Sequence, residues 1–168
     1  MEVFEAVKTV LATRSYLGTP IPPEITRRIV DAAHLTASSM NRQPWHFIVV
    51  EDPKVLKQLG GLARTGPYVA DAPLAVVVVI EKTDFAVSDA SRAIQSMILT
   101  AWSSGVASNW VGFFGLDEVK PALGIPGDLD VLAIIPFGYP VVAKSGEKKK
   151  RKPLREVVHS GRFGTPFA

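Results

Sequence analysis

The sequence predicts an α+β domain, and three observations carry that reading. Two helical patterns precede the first strand-like stretch, the strand-like stretches are unevenly spaced, and no regular alternation of strand and helix is kept up along the chain. At 168 residues the chain fits a single domain, 1–168, with no internal repeat and no linker.

The elements follow in order. Val3, Ala6, Val7, Val10 and Leu11 recur at helical spacing, which predicts a helix over 3–13 that stops before Gly18, Pro20, Pro22 and Pro23. A second helix is predicted over 24–35, with Ile25, Ile29, Ala32 and Ala33 on one face and Pro23 where proline suits a helix start. "WHFIVVE" (45–51) is aromatic and β-branched and reads as a strand. Asp52 and Pro53 then read as the cap and first residue of a short helix through Val55, Leu56 and Leu59. "PLAVVVVI" (73–80) is apolar throughout, the mark of a strand covered on both faces. Ala90, Ile94, Met97, Ile98, Ala101 and Trp102 give a broad apolar stripe over 87–104, a central buried helix closed by Gly105. "VASNWVGFFG" (106–115) is strand-like before it turns, "LDEVKPALGI" is a short helix cut or kinked by Pro121, and "VLAIIPFGYP" (131–140) is another strand. A last short helix is expected over 153–159.

Composition narrows the function classes. Hydrophobic residues make up 47% and charged residues 21%, which favours a packed globule over disorder. The longest apolar run falls far short of the roughly 20 residues that span a bilayer, so no membrane association is expected. Residues 1–12 carry Glu2 and Glu5 and match neither a secretory leader nor a transit peptide, so a cytoplasmic address is expected. There is no cysteine, which removes thiolate chemistry and disulfides and leaves redox chemistry to a bound cofactor. His34, His46 and His159 show no ligand spacing, and no metal is expected. The net charge of +3 owes much to the basic tract 144–155, but no helix-turn-helix or RNP-like strand accompanies it and no nucleic-acid partner is expected.

Two groups of residues are candidates for chemistry. Thr13-Arg14-Ser15 and the run Lys149, Lys150, Arg151 and Lys152 together offer the forked guanidinium, hydroxyl and ammonium donors that suit a phosphate, although spacing alone does not bring them together. The stretch "LTASSMNRQPWHFIVVED" (35–52) places Ser38, Ser39, Asn41 and Gln43 directly before a buried strand; spacing alone favours a plain turn whose side chains bond local backbone, with Trp45 filling the core. There is no GxGxxG, Walker A or GxSxG pattern, and Gly60-Gly61 lacks the context of a phosphate loop.

The ordered set of segments "TRSYLGTPIPPE", "IVDAAHLTASSMNRQPWHFIVVED", "SDASRAIQSMILTAWSSGVASNWVGF", "LGIPGDLDVLAIIPFGYP" and "KKRKPLREVVH" resembles the nitroreductase family of flavin-dependent oxidoreductases from about residue 2 to residue 160. The resemblance implies a central, mostly antiparallel sheet flanked by helices, a homodimer, and FMN bound at the dimer interface. It implies that Arg14 and Ser15 bind the FMN phosphate and ribityl chain, with Lys149 and Arg151 completing the phosphate grip. Ser38, Ser39 and Asn41 would be offered by the partner subunit, the stretch from Thr36 to Asn41 approaching the flat ring while Gln43, Pro44 and Trp45 hold it in place. Val111, Gly112 and Phe113 would pass their backbone near the flavin N5 edge.

The family mechanism is ping-pong, with NADH or NADPH as donor and a nitroaromatic, quinone or similar small molecule as acceptor, and it implies no catalytic acid or base. Other outcomes stay open: a specialised flavin dehydrogenase or dehalogenase of the same fold, a flavin-binding protein without turnover, and a nucleic-acid binder using 144–155. The sequence departs from the family pattern at Thr13 and Leu17, where basic residues are usual, and in a shortened turn from Ser15 to Pro22. By that pattern two phosphate donors are missing, which implies either weak FMN binding or compensation by the C-terminal lysines. The chain is also compact between 80 and the central helix, which implies an open substrate pocket.

Overall fold

The computed structural model describes residues 1–112, 115–142 and 149–167. Helix α1 spans Val3–Thr9, capped by the Glu2 carboxylate, which accepts from the amides of Phe4 and Glu5 at 3.0 and 3.3 Å. It is shorter than the predicted 3–13, because the chain beyond it is drawn out by strand-like hydrogen bonds to a neighbouring segment. Helix α2 (Pro23–His34) begins on its proline and buries Ile29 and Ala33. Strand β1 (Trp45–Val50) leads into helix α3 (Pro53–Leu62), whose first turn is capped by Asp52 accepting from the Lys54 amide at 2.8 Å.

Strand β2 is Leu74–Ile80 and helix α4 is Ala86–Ser103. Gly105 stops α4 at φ 77°: its amide donates to Trp102 O at 3.0 Å and the Val106 amide donates to Ala101 O at 3.0 Å, the paired bonds of a Schellman cap. Strands β3 (Ala107–Ser108) and β4 (Val111–Gly112) follow, then helix α5 (Val119–Leu123) and strand β5 (Asp130–Gly138). Pro121 neither cuts nor kinks α5, because it stands in the first turn, where no amide has an intrahelical partner. The expected helix over 153–159 is only a 3-10 turn at Leu154–Glu156; it buries none of its residues and so lacks the packing that stabilises short helices.

The strand order is β1-β2-β5-β3, with β4 also on β5, and the pairings between these strands are antiparallel. Trp45 lies opposite Ile80 and Leu74 opposite Phe137, with one register shift between Val78 and Val79. All seven residues of β2 are buried because the strand is central and its faces belong to different cores. Leu74, Val76, Val78 and Ile80 join the core beneath α2 and α4, including Ile29, Ile94, Met97 and Phe137. Ala75, Val77 and Val79 join the core beneath α3, with Leu56, Leu59, Val69 and Val119. Each such aliphatic side chain contributes about 1.5–3 kcal/mol on burial. Among the described residues no helix is long and apolar enough to cross a membrane.

Candidate functional site

The segment after α1 is extended and pinned on both sides. Ala12 forms a parallel bridge with Ser108 of β3, and the Thr13 amide donates to Ser108 O at 2.9 Å. On the other side Tyr16 bridges Pro140, the Leu17 amide donates to Tyr139 O at 2.8 Å, and the Val141 amide donates to Ser15 O at 3.3 Å. Thr13 and Tyr16 therefore turn inward, while Arg14 and Ser15 are exposed. Among the described residues neither the Arg14 guanidinium nor the Ser15 hydroxyl has an internal hydrogen bond or ion pair, so their donors face solvent on a fixed backbone. Thr13 is the reverse case, 2% exposed with its Oγ1 lacking a hydrogen-bond partner.

The loop before β1 is tied to α4. Thr36 Oγ1 donates to Ala32 O and meets Ser96 Oγ, both at 2.8 Å. Ser39 donates twice to Asp89, from its amide to Oδ2 and from its hydroxyl to Oδ1, each at 3.0 Å. The Gln43 amide donates to Ser38 Oγ at 2.9 Å, and Gln43 Nε2 donates to Asn41 O at 3.2 Å. Three residues that are not glycine, Met40, Asn41 and Gln43, take φ values of 52°, 54° and 52°, a conformation that L side chains rarely adopt. Ser38 and Ser39 are half-buried and Asn41 is exposed, while Pro44 and Trp45 are buried behind them. Sequence reading missed Asp89; its signal is an acidic residue on the small-residue stripe Ala86, Ala90, Ala93.

Val111 is buried and packs its side chain against Gly66, which leaves the backbone of Val111 and Gly112 as the feature this stretch can present. A Cβ at Gly112 would lie 2.7 Å from Trp110 Nε1 and 2.8 Å from Leu132 O, so only glycine fits. Asn109 steadies the approach: Nδ2 donates to the Tyr68 hydroxyl at 2.7 Å and Oδ1 accepts from the Trp110 amide at 2.9 Å. Phe113 lies outside the described residues, as do 144–148 of the basic tract.

At the C-terminus, Lys149 Nζ donates to Val7 O at 2.7 Å, reaching the carbonyl end of α1. Burial, then the nearby Arg151 charge, lowers its pKa from the ordinary lysine value. Arg151 is exposed and gives one N–H to Lys150 O at 2.9 Å. An ammonium has three N–H donors and a guanidinium five, so both keep donors for an anion.

The predicted residues thus fall into separate places within one chain. Lys149 lies by the end of α1, which Trp102 Nε1 ties to the C-terminal part of α4 by a 2.9 Å bond to Thr9 Oγ1, and Arg14 and Ser15 follow the residues that pair with Ser108 just beyond α4. Ser38, Ser39 and Asn41 are fastened near its N-terminal end at Asp89, about 20 Å away along the helix axis. An open cleft of about 610 Å³ between α2 and β1, lined by Arg27, His34, Trp45, His46 and Phe47, shares only Gln43 with the loop. Among the described residues no group of histidine, aspartate and glutamate could hold a metal ion.

The sequence model described as the Nitroreductase family matches residues 11–83 and 69–139. A Methanothermobacter thermautotrophicus protein named "Putative NADH dehydrogenase/NAD(P)H nitroreductase" is 34% identical over 149 residues, covering 83% of this chain and 78% of that one. The solved FMN-dependent nitroreductase of Clostridium difficile superposes with a TM-score of 0.85 at 27% identity, over 95% of this chain and 99% of that one. The NADPH:FMN oxidoreductase of Vibrio harveyi, solved with NAD+, shares the fold at a TM-score of 0.85 and 24% identity, over 96% of this chain and 77% of that one.

Proposed function

The chain belongs to the nitroreductase family, and on that premise we propose that it is an FMN-dependent oxidoreductase acting as a homodimer. NADH or NADPH is its donor, and a nitroaromatic, quinone or similar small molecule is its acceptor. The residues present fit FMN. A dianionic phosphate needs exposed, uncommitted donors, and Arg14 and Ser15 supply them from a strip pinned on both sides. Gly112 is packed too closely against Trp110 and Leu132 to carry a side chain, so main-chain groups are what it can offer a flat ring. Bound FMN would supply the redox chemistry, taking hydride from the nicotinamide and passing electrons to an acceptor that enters after the nucleotide leaves.

The chain's own residues do the binding and positioning. Arg14 and Arg151 neutralise phosphate charge, Ser15 donates a hydroxyl hydrogen bond, and Lys149 adds charge while holding the end of α1. Ser38, Ser39 and Asn41 reach the cofactor from a second copy; within their own chain they are tied near Asp89, about 20 Å along α4 from Trp102, which bonds the end of α1. Val111 and Gly112 offer main-chain groups, and no side chain is assigned as a proton donor.

The observation that carries this reading is Arg14, exposed and unpaired beside Ser15 on a fixed backbone. The test is an absorbance spectrum of the purified protein, repeated after FMN addition and removal of unbound flavin, then after anaerobic NADH or NADPH. Retained flavin bands that bleach with either nucleotide are expected. A protein that retains no flavin overturns the proposal. The buried Thr13, standing where relatives carry a basic side chain, favours one second reading, a flavin-holding protein without turnover. Bands that persist after both nucleotides would select it.

A further inference from the structure

We propose that Asp89 is a positioning residue for the cofactor, acting through Ser39 by holding the 38–43 loop in its flavin-accepting shape. The proposal rests on the flavin reading above and adds a residue that touches no cofactor atom. Asp89 is 0% exposed, in the first turn of α4 among Ala86, Ala90 and Ala93. Packing alone would favour another alanine there, since a buried carboxylate is tolerated only when its oxygens are matched by donors. The match is complete: the Ser39 amide and hydroxyl each donate at 3.0 Å, and Arg92 forms the ion pair on the outer side.

What those bonds hold is strained. Met40 and Asn41 directly follow Ser39, and with Gln43 they adopt left-handed backbone. Such residues persist only where their surroundings over-determine them. The ties do this at Thr36 to Ser96, at Ser39 to Asp89, and at Gln43 to Ser38. Asp89, Arg92 and Ser96 follow at spacings of three and four residues, so one face of α4 acts as the rail to which the loop is fastened. A loop fixed before the flavin arrives loses little entropy on binding, which is how Asp89 raises affinity from a distance.

The test uses the full-length protein stripped of flavin, with Asp89→Ala, Asp89→Asn, Ser39→Ala and the Asp89→Ala/Ser39→Ala pair. FMN dissociation constants and amide hydrogen exchange are measured on each. Asp89→Ala should weaken FMN by about tenfold and speed exchange of the Ser39 and Gln43 amides by about tenfold, with β2 amides unchanged. Asp89→Asn, which keeps one acceptor for the Ser39 amide, should recover about half of the loss on a logarithmic scale. The double variant should lose less than the sum of the singles. If Asp89→Ala does not fold, Asp89→Asn against wild type carries the test with a loss of about threefold. FMN affinity within about twofold of wild type in the folded variants, or faster loop exchange without loss of affinity, overturns the proposal. A wild-type protein that binds no FMN overturns the flavin reading first and is seen before any variant is made.

Discussion

The phenol of Tyr16 donates a 2.6 Å hydrogen bond to the backbone carbonyl of Thr13, closing a buried turn behind the exposed Arg14 and Ser15. Burial raises the Tyr16 pKa above its ordinary value of 10.0; the neighbouring Tyr68 adds to the rise and the Arg14 charge opposes it. The sign follows from proton counts. Above pH 10 the unfolded chain releases this proton while the folded one keeps it, so the stabilisation is complete below that pH and is lost as pH rises through the folded value. Urea unfolding midpoints should hold steady to about pH 9 and fall toward about pH 11. Tyr16→Phe should cost about 1 kcal/mol at neutral pH and flatten part of that alkaline decline.

Adjacent glycines in α3 make opposite predictions. A Cβ on Gly60 would lie 2.7 Å from both the Ala70 amide nitrogen and its Cβ, and 2.8 Å from Pro67 O, whereas a Cβ on Gly61 would meet nothing within 4 Å. Gly60→Ala should therefore destabilise by about 1–3 kcal/mol through overpacking. Gly61→Ala should stabilise by about 0.5–1 kcal/mol through helix propensity. Chemical denaturation of the two variants side by side checks both signs.

Thr13 carries a hydroxyl that is buried without a partner among the described residues. Thr13→Val removes the unsatisfied group at nearly constant volume and should stabilise by about 1 kcal/mol. The side chain points away from the exposed face of the strip, so FMN affinity should not change. A loss of flavin in this variant would mean that the hydroxyl is used when cofactor is bound.

Much of the scaffold is legible in the sequence because single-residue chemistry fixes it. Asp52-Pro53 starts α3, Gly105 stops α4, and the unbroken apolar run of β2 announces cover on both faces. The end of α1 is not legible, since Val10 and Leu11 continue the helical spacing while pairing with Ser108 by the next residues draws the chain straight. The 153–159 segment has the right composition for a helix but packs against too little to form one. The site was legible as residue types, not as places. Nothing in the spacing shows that Ser39 is held by a residue fifty positions away, or that Lys149 bonds a carbonyl 142 positions earlier.

The two arginines and Lys149 should behave differently when removed. Arg14 and Arg151 are exposed, and among the described residues Arg151 bonds only its neighbour's carbonyl, so Arg14→Ala with Arg151→Ala should leave the unfolding midpoint near wild type. FMN affinity should fall by roughly a hundredfold to ten-thousandfold, at about 1.5–3 kcal/mol for each of two charged hydrogen bonds. Lys149→Met should weaken FMN less but lower stability as well, because Lys149 Nζ also holds Val7 O at the end of α1. Titration of flavin-free protein with FMN, paired with urea melts, separates the two effects. Unaltered FMN affinity in the double arginine variant would remove both from the site.

Helix α1 turns its apolar residues outward. Val3 is 72% exposed and Phe4 67%, while Ala6 is the only residue of the helix that is buried. A helix of seven residues is too short to be stable by itself, and its ties within the chain are the Lys149 bond to Val7 and the Trp102 bond to Thr9. A row of exposed aliphatic and aromatic side chains on such an element is the surface expected to meet a second copy. Phe4→Asp places a charge in that contact and should shift the protein from dimer to monomer in sedimentation velocity. Flavin should be lost with the dimer if, as proposed, Ser38, Ser39 and Asn41 serve the cofactor held by the other chain. A monomer that keeps flavin would show that one chain completes the site. A dimer that survives the substitution would place the interface away from α1.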